Sequence, residues 1–123
     1  MICGIGTDIV DIRRVELLCA TRQDQFAARI LSERERSRGI VYTPRDLAKA
    51  FAAKEAISKA LGTGMRGGVS FKDMVILRDA LGAPSVELTG VAAQRLHSLG
   101  GQRVWLSLAD ESHYAVAYAI ASL

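Results

Sequence analysis

The alternation of apolar and polar positions divides the chain into short strands and helices. Ile2 to Val10, ICGIGTDIV, reads as a strand punctuated by Gly4 and Gly6 that turns polar at Thr7 and Asp8. Ile12 to Ala20 and Gln25 to Leu31 carry apolar residues at spacings of three and four, which predicts helices. Ser32-Glu33-Arg34-Glu35 has the form of a capping box and predicts a short charged helix ended by Gly39. Thr43-Pro44-Arg45-Asp46 is a stronger start signal. It offers a capping hydroxyl, a proline whose missing N–H is not needed in the first turn, and an acid near the positive end of the dipole. The helix it opens runs from Pro44 to Leu61 and stops at Gly62. Gly62 to Gly68, GTGMRGG, is a flexible loop.

Met74 to Arg78 and Ser85 to Leu88 read as strands joined by a turn containing Gly82 and Pro84. Thr89 caps a further helix that ends at Gly100-Gly101. Arg103 to Leu108 and His113 to Ala121 are strands around an Asp110-Glu111-Ser112 turn. In the last strand Tyr114, Val116, Tyr118 and Ile120 line one face and Ala115, Ala117, Ala119 and Ala121 the other. That alanine face permits close approach by a helix or another subunit. The sum is α+β, a mainly antiparallel sheet packed with helices, in one domain spanning residues 1–123.

On a helical wheel, Leu47, Ala50, Phe51, Ile57 and Leu61 form the stripe expected to face the sheet. Glu55 and Lys59, four apart, share another flank with Ala48 and Ala52. An exposed Glu–Lys pair at this spacing supports a helix by only about 0.2–0.5 kcal/mol. Small neighbours that leave room beside it, and a glycine loop at the helix end, suit a bound ligand better than a plain surface. Lys54 falls within the apolar stripe, where an unpaired charge is costly, and so calls for a carboxylate partner in a structural ion pair.

Composition narrows the partners. The net charge is +3, and basic residues gather between Arg13 and Lys49, a bias suited to an acidic protein or a phosphorylated ligand. They come without interleaved aromatics or a docking motif, which argues against nucleic acid. Cys3 and Cys19 lack metal-ligand spacing and read as ordinary buried thiols. No basic region followed by an apolar run opens the chain and no stretch reaches membrane length, so a cytoplasmic protein without membrane attachment is expected.

Neither glycine segment is a standard phosphate motif. Gly4-Ile5-Gly6-Thr7-Asp8 lacks the third glycine of the dinucleotide fingerprint, and Gly68 stands where a Walker A lysine belongs. The Gly62–Gly68 loop could still hold phosphate oxygens on backbone N–H groups, helped by Arg66. Asp8 and Glu55 together could bind a hard cation, since Mg²⁺ takes one or two carboxylates, waters and substrate phosphates. Spacing does not prove that they meet.

Three segments, GIGTDIVDIRRVE, FAAKEAISKALGTG and VWLSLADESHYAVAYAI, resemble the small holo-acyl-carrier-protein synthases, in the right order and over nearly the whole chain, with LGAP between the second and third. The resemblance implies a homotrimer with active sites between subunits. It implies a Mg²⁺-dependent transfer of 4′-phosphopantetheine from coenzyme A to a serine of apo acyl carrier protein, giving 3′,5′-ADP and a role in fatty acid biosynthesis. Asp8 and Glu55 match the metal ligands, and Lys59 matches the lysine set against the phosphates. Glu55, or Asp8 by way of a water, would take the serine proton. Gly62, Thr63, Gly64, Pro84 and Lys49 are expected along the coenzyme A cleft. Arg14 and Arg22, with Leu18 and Phe26, are expected to meet the acidic helix of the carrier, and Val15, Leu17 and Leu18 to pack the helix that bears Arg14.

Two positions depart from the commonest pattern. Ala50 stands where arginine is frequent, with Lys49 just before it, and Asp110 stands where many relatives have histidine. A non-catalytic module that binds coenzyme A would not need both Asp8 and Glu55. A basic protein that merely binds acidic partners would leave the GTG loop and the KE pair without purpose. The enzyme reading accounts for all of them.

Overall fold

The fold is built around one helix laid across one three-stranded sheet. A computed structural model describes residues 1–123. The elements in chain order are β1 (Ile2–Asp11), α1 (Ile12–Ile30), α2 (Glu33–Arg36), α3 (Pro44–Ala60), a 3₁₀ turn (Phe71–Asp73), β2 (Met74–Arg78), β3 (Pro84–Leu88), α4 (Gly90–Ser98), β4 (Arg103–Asp110) and β5 (Tyr114–Ser122). β5 is central, antiparallel to β1 on one side and β4 on the other, while β2 and β3 form a separate hairpin. No helix is long and apolar enough to cross a membrane.

The contact between α3 and the sheet is made of small residues. Ala115, Ala117, Ala119 and Ala121 of β5 are fully buried, as are Ala48, Ala52, Ala53 and Ala56 of α3. Alanine against alanine lets helix and sheet backbones approach closely. Gly4 and Gly6 extend this onto β1: a Cβ at Gly4 would collide with the Ala60 carbonyl, and one at Gly6 with the Ala56 carbonyl and the Ala60 nitrogen. The GxG of β1 is therefore a helix-docking surface. Its chemical consequence is that Thr7 and Asp8 lie beside the last turns of α3.

This corrects one expectation. The alanine flank of α3 leaves no room for a ligand, because it is the face packed on the sheet. The alanine face of β5 is covered by the chain's own helix, one of the two neighbours expected there. The stripe read from the wheel divides along its length: Ile57 and Leu61 join the sheet core, whereas Leu47, Ala50 and Phe51 pack toward α1 and Phe71. Phe51 stacks tilted against Phe26 at 5.9 Å and Phe71 at 5.6 Å between ring centroids. What remains uncovered is the other face of the sheet, where Ile5, Ile9, Trp105, Val116 and Tyr118 are exposed.

Caps behave largely as the sequence signals. Capping boxes form at Ser32/Glu35 and Thr43/Asp46, and Gly62 follows α3 with φ +77°. Four details differ. α1 is continuous across the two predicted helices, with a kink at Arg22 (φ −137°, ψ 33°). The 3₁₀ turn at Phe71 was not anticipated. Pro84 lies in β3, paired with Arg78, rather than in the turn. Thr89 makes no side-chain cap; the Asp73 carboxylate accepts from the Ala92 N–H at 3.3 Å instead.

Lys54 is fully buried and finds its expected partner. Its Nζ donates to Glu35 Oε1 at 2.6 Å, to the Ile30 carbonyl at 2.7 Å and to the Phe71 carbonyl at 3.1 Å. Glu35 Oε1 also accepts from the Ser32 N–H and hydroxyl, and Oε2 accepts from the Ile76 N–H.

Candidate active site

A cleft of about 490 Å³ opens where the end of β1, the cleft side of α1 and the middle of α3 converge. Asp8 enters it from β1, Arg14 and Leu18 from the first half of α1, Phe26 and Arg29 from the second half, and Glu55 from α3. Its apolar wall includes Val10, Val15, Phe51, Met65 and Phe71. The two carboxylates, far apart in sequence, thus line one cavity.

Their surroundings differ. Asp8 is held by Lys59, whose Nζ donates to Asp8 Oδ1 at 3.1 Å and to the Thr7 carbonyl at 2.9 Å. The pair is half open, since the Lys59 side chain is 51% exposed and that of Asp8 17%. Glu55 has no such partner. Partial burial raises its pKa above the ordinary carboxylate value, the negative charge of Asp8 raises it further, and Lys59 and Arg29 pull it back. Glu55 therefore senses the charge of Asp8, and a cation between them would relieve the repulsion.

The donor set suits a hard divalent ion. No cluster of three or more His, Cys, Asp or Glu side chains capable of holding a metal exists, so a site closed by protein ligands alone is absent. Two carboxylates on a cleft open to substrate match the habit of Mg²⁺, which completes its shell with water and phosphate oxygens.

Arg13 and Arg14 have separate fates. Arg13 turns back on Asp11, donating from Nε and Nη2 at 2.9 Å each, and lies 5.8 Å from the Tyr114 ring centroid. That contact lowers the Asp11 pKa and raises that of Arg13. Arg14 lines the cleft with no carboxylate partner. Leu18 and Phe26 line it as well, and Val15 is buried as expected, but Leu17 is 76% exposed and does not join the core. Arg22 is exposed and does not line the cleft; the kink falls on this residue, whose own backbone leaves the helical conformation. Arg29 is there instead, its guanidinium 6.0 Å from the Phe71 ring centroid. The signal for Arg29 is its spacing of three from Phe26 and eleven from Leu18, which keeps it on the same face of the helix.

The residues expected along coenzyme A are not gathered at this cleft within one chain. Lys49 sits beside a separate cavity of about 210 Å³ with Arg38, Tyr42, Ala50 and Arg78. It pairs with Asp110 Oδ1 at 3.3 Å, while Arg45 holds Asp110 Oδ2 at 3.0 Å. Asp110 thus binds two cations, and its pKa is lowered chiefly by the Arg45 hydrogen bond. The N–H groups of Gly62, Thr63 and Gly64 are spent on the Lys59 and Ser58 carbonyls at 3.0–3.3 Å. Those of Met65 to Gly68 have no acceptor within the chain, so any backbone cradle for phosphate lies in the second half of the loop. His97 is exposed on α4, remote from these groups.

Residues 4–119 match the model of the 4′-phosphopantetheinyl transferase superfamily. A holo-[acyl-carrier-protein] synthase of Hydrogenovibrio crunogenus is 49% identical, over 98% of this chain and 97% of the relative. The crystal structure of the Neisseria meningitidis holo-[acyl-carrier-protein] synthase superposes with a TM-score of 0.89 at 42% identity, covering 100% of both chains. That of the Bacillus anthracis synthase, in complex with CoA (3′,5′-ADP), superposes at 0.79 with 35% identity, covering 100% of this chain and 99% of the other. With the family model matched over residues 4–119 and the fold and nearly the full length in common with these relatives, this chain belongs to the holo-[acyl-carrier-protein] synthases of the 4′-phosphopantetheinyl transferase superfamily.

Proposed function

We propose that the chain transfers 4′-phosphopantetheine from coenzyme A to a serine hydroxyl of an apo acyl carrier protein, releasing 3′,5′-ADP. The observation that carries this reading is the convergence of Asp8 and Glu55, from β1 and α3, on one cleft that also holds the unpaired Arg14. Asp8 and Glu55 are the residues that would hold Mg²⁺. Bound there, the ion would offset the negative charge of the diphosphate that repels an attacking oxygen. A carboxylate of this pair, either Glu55 or Asp8 by way of a water, would accept the serine proton. Lys59, anchored on Asp8 and the Thr7 carbonyl, places a positive charge where negative charge develops on the departing nucleotide. Arg14 meets an acidic helix of the carrier, with Leu18 and Phe26 as the apolar floor.

The working unit is a homotrimer with active sites between subunits. Two features support this. The outer sheet face exposes Ile5, Ile9, Trp105, Val116 and Tyr118, an apolar surface suited to another copy of the chain. In addition, Lys49, Gly62, Thr63, Gly64 and Pro84 do not surround the carboxylate cleft of their own chain, as a nucleotide held across a subunit boundary requires. The direct test is intact-mass spectrometry of an apo carrier incubated with the protein, coenzyme A and Mg²⁺. A phosphopantetheine mass increment on the carrier is the expected result. An unmodified carrier, with a control synthase modifying the same batch, would overturn the reading.

A further inference from the structure

Lys54 is the largest fully buried side chain of the protein, and it adjoins Glu55 in sequence. Its ammonium joins four parts of the molecule at one point. It donates to the last residue of α1 (Ile30), to Glu35 in α2 and to Phe71 in the 3₁₀ turn, while the same Glu35 carboxylate accepts from Ile76 of β2. No buried side-chain polar atom in the protein lacks a partner, so nothing at this junction is left over to bind a ligand. The elements gathered here are those that build the cleft. α1 supplies Phe26 and Arg29, the 3₁₀ turn supplies Phe71, and α3 supplies Phe51 and Glu55.

We infer that the buried Lys54–Glu35 pair positions the active site, by pinning the end of α1 and the Phe71 turn onto α3 at the residue next to Glu55. The inference rests on the reading of Glu55 as an active-site carboxylate. Hydrophobic packing alone would hold these elements together without fixing their separation, because apolar contacts are non-directional. Three directed hydrogen bonds from one ammonium fix both distance and rotation. The pair touches no substrate. It acts through Glu55 and the aromatic wall Phe26–Phe51–Phe71. Burial lowers the pKa of Lys54, and the adjacent Glu35 carboxylate opposes that change and favours the charged form.

A pair that serves stability alone and a pair that serves position respond differently to joint removal. Replacing a buried ion pair by neutral residues of similar volume often leaves stability unchanged or improved. Lys54→Met alone strands the Glu35 carboxylate and can prevent folding, so the informative protein is the double variant Lys54→Met/Glu35→Gln. Its melting temperature should fall modestly, because the Ile30 and Phe71 carbonyls lose their donor, while kcat measured well below melting falls roughly tenfold, since small misplacements of reacting groups are costly. The KM for coenzyme A should change little. Hydrogen exchange should quicken at residues 30–36 and 71–76 and remain unchanged in β1, β4 and β5. A double variant with wild-type kcat overturns the proposal. So does one whose kcat falls only in step with its melting temperature and whose exchange quickens throughout, because that marks a purely structural pair. Glu55→Gln, measured alongside, separates the two levels. If that variant is fully active, the reading of Glu55 fails. If it is inactive while the double variant is normal, only the positioning role fails.

Discussion

Two carboxylate–lysine pairs sit on opposite sides of α3 and are built on opposite principles. At Lys54–Glu35 both groups are buried, and the Lys54 ammonium is satisfied by three acceptors. At Lys59–Asp8 the lysine is half exposed, and Glu55 stands nearby with only partial charge compensation. The first arrangement holds its neighbours in place. The second has spare binding capacity and a cleft through which a ligand can enter. A satisfied buried network can position groups for a reaction, whereas an open and incompletely compensated one can take part in it.

Substitutions should separate the two pairs. The largest stability effect belongs to the closed pair: Lys54→Met leaves an uncompensated carboxylate and should cost about 3–5 kcal/mol in chemical denaturation. Lys59→Met should cost at most about 1 kcal/mol, since its pair is exposed, yet lower turnover clearly. Equal stability losses for the two variants would erase the distinction. Next come Asp8→Asn and Glu55→Gln, each expected to reduce transfer about a hundredfold or more, as loss of a charge-stabilising group does, with circular dichroism unchanged. Near-normal turnover of either variant at limiting Mg²⁺ would break the assignment.

A smaller effect is expected at the rim. Arg14→Glu should raise the KM for the carrier roughly tenfold or more through lost electrostatic complementarity, with a lesser change for coenzyme A, and added salt should weaken the wild-type enzyme in the same direction. An unchanged carrier KM with damaged coenzyme A binding would place Arg14 on the nucleotide. The smallest effect concerns Asp110. Its folded pKa lies below the ordinary value of 3.8, so its pairing with Arg45 and Lys49 stabilises the fold above that pH and is lost as pH falls through the folded value. The melting temperature of Asp110→Asn should therefore lie slightly below that of the wild type at neutral pH and converge with it in strong acid. A gap that persists in strong acid would show that the charge is irrelevant.

Local signals in the sequence were reliable wherever the physics is local. The capping boxes at Ser32 and Thr43, the stop at Gly62 and the alternation of β5 are set by residues within a few positions of one another. The need of Lys54 for a carboxylate was legible from the wheel, but its identity as Glu35 was not, because that depends on how α2 folds back over α3. Which neighbour covers the alanine face of β5 was equally illegible, since both a helix and another subunit fit the same pattern. Gly4 and Gly6 invited comparison with a phosphate loop and proved to be the docking site of α3. Arg22 misses the cleft because its own backbone leaves the helical conformation, whereas Arg29, eleven residues after Leu18 and so on the same helix face, lines it without having been singled out. In the site, Asp8, Glu55 and Lys59 were identified through the resemblance, and the fold brings all three to the junction of β1 and α3.

The central claim is that Asp8 and Glu55 together form the cation site of the open pair. Calorimetric titration of Mg²⁺ into the protein saturated with coenzyme A, corrected for Mg²⁺ binding to coenzyme A alone, tests it most directly. Asp8→Asn and Glu55→Gln should each weaken Mg²⁺ binding by roughly tenfold or more, as removal of one of only two carboxylate ligands demands. Binding of wild-type strength in both variants would contradict the claim and move the cation elsewhere.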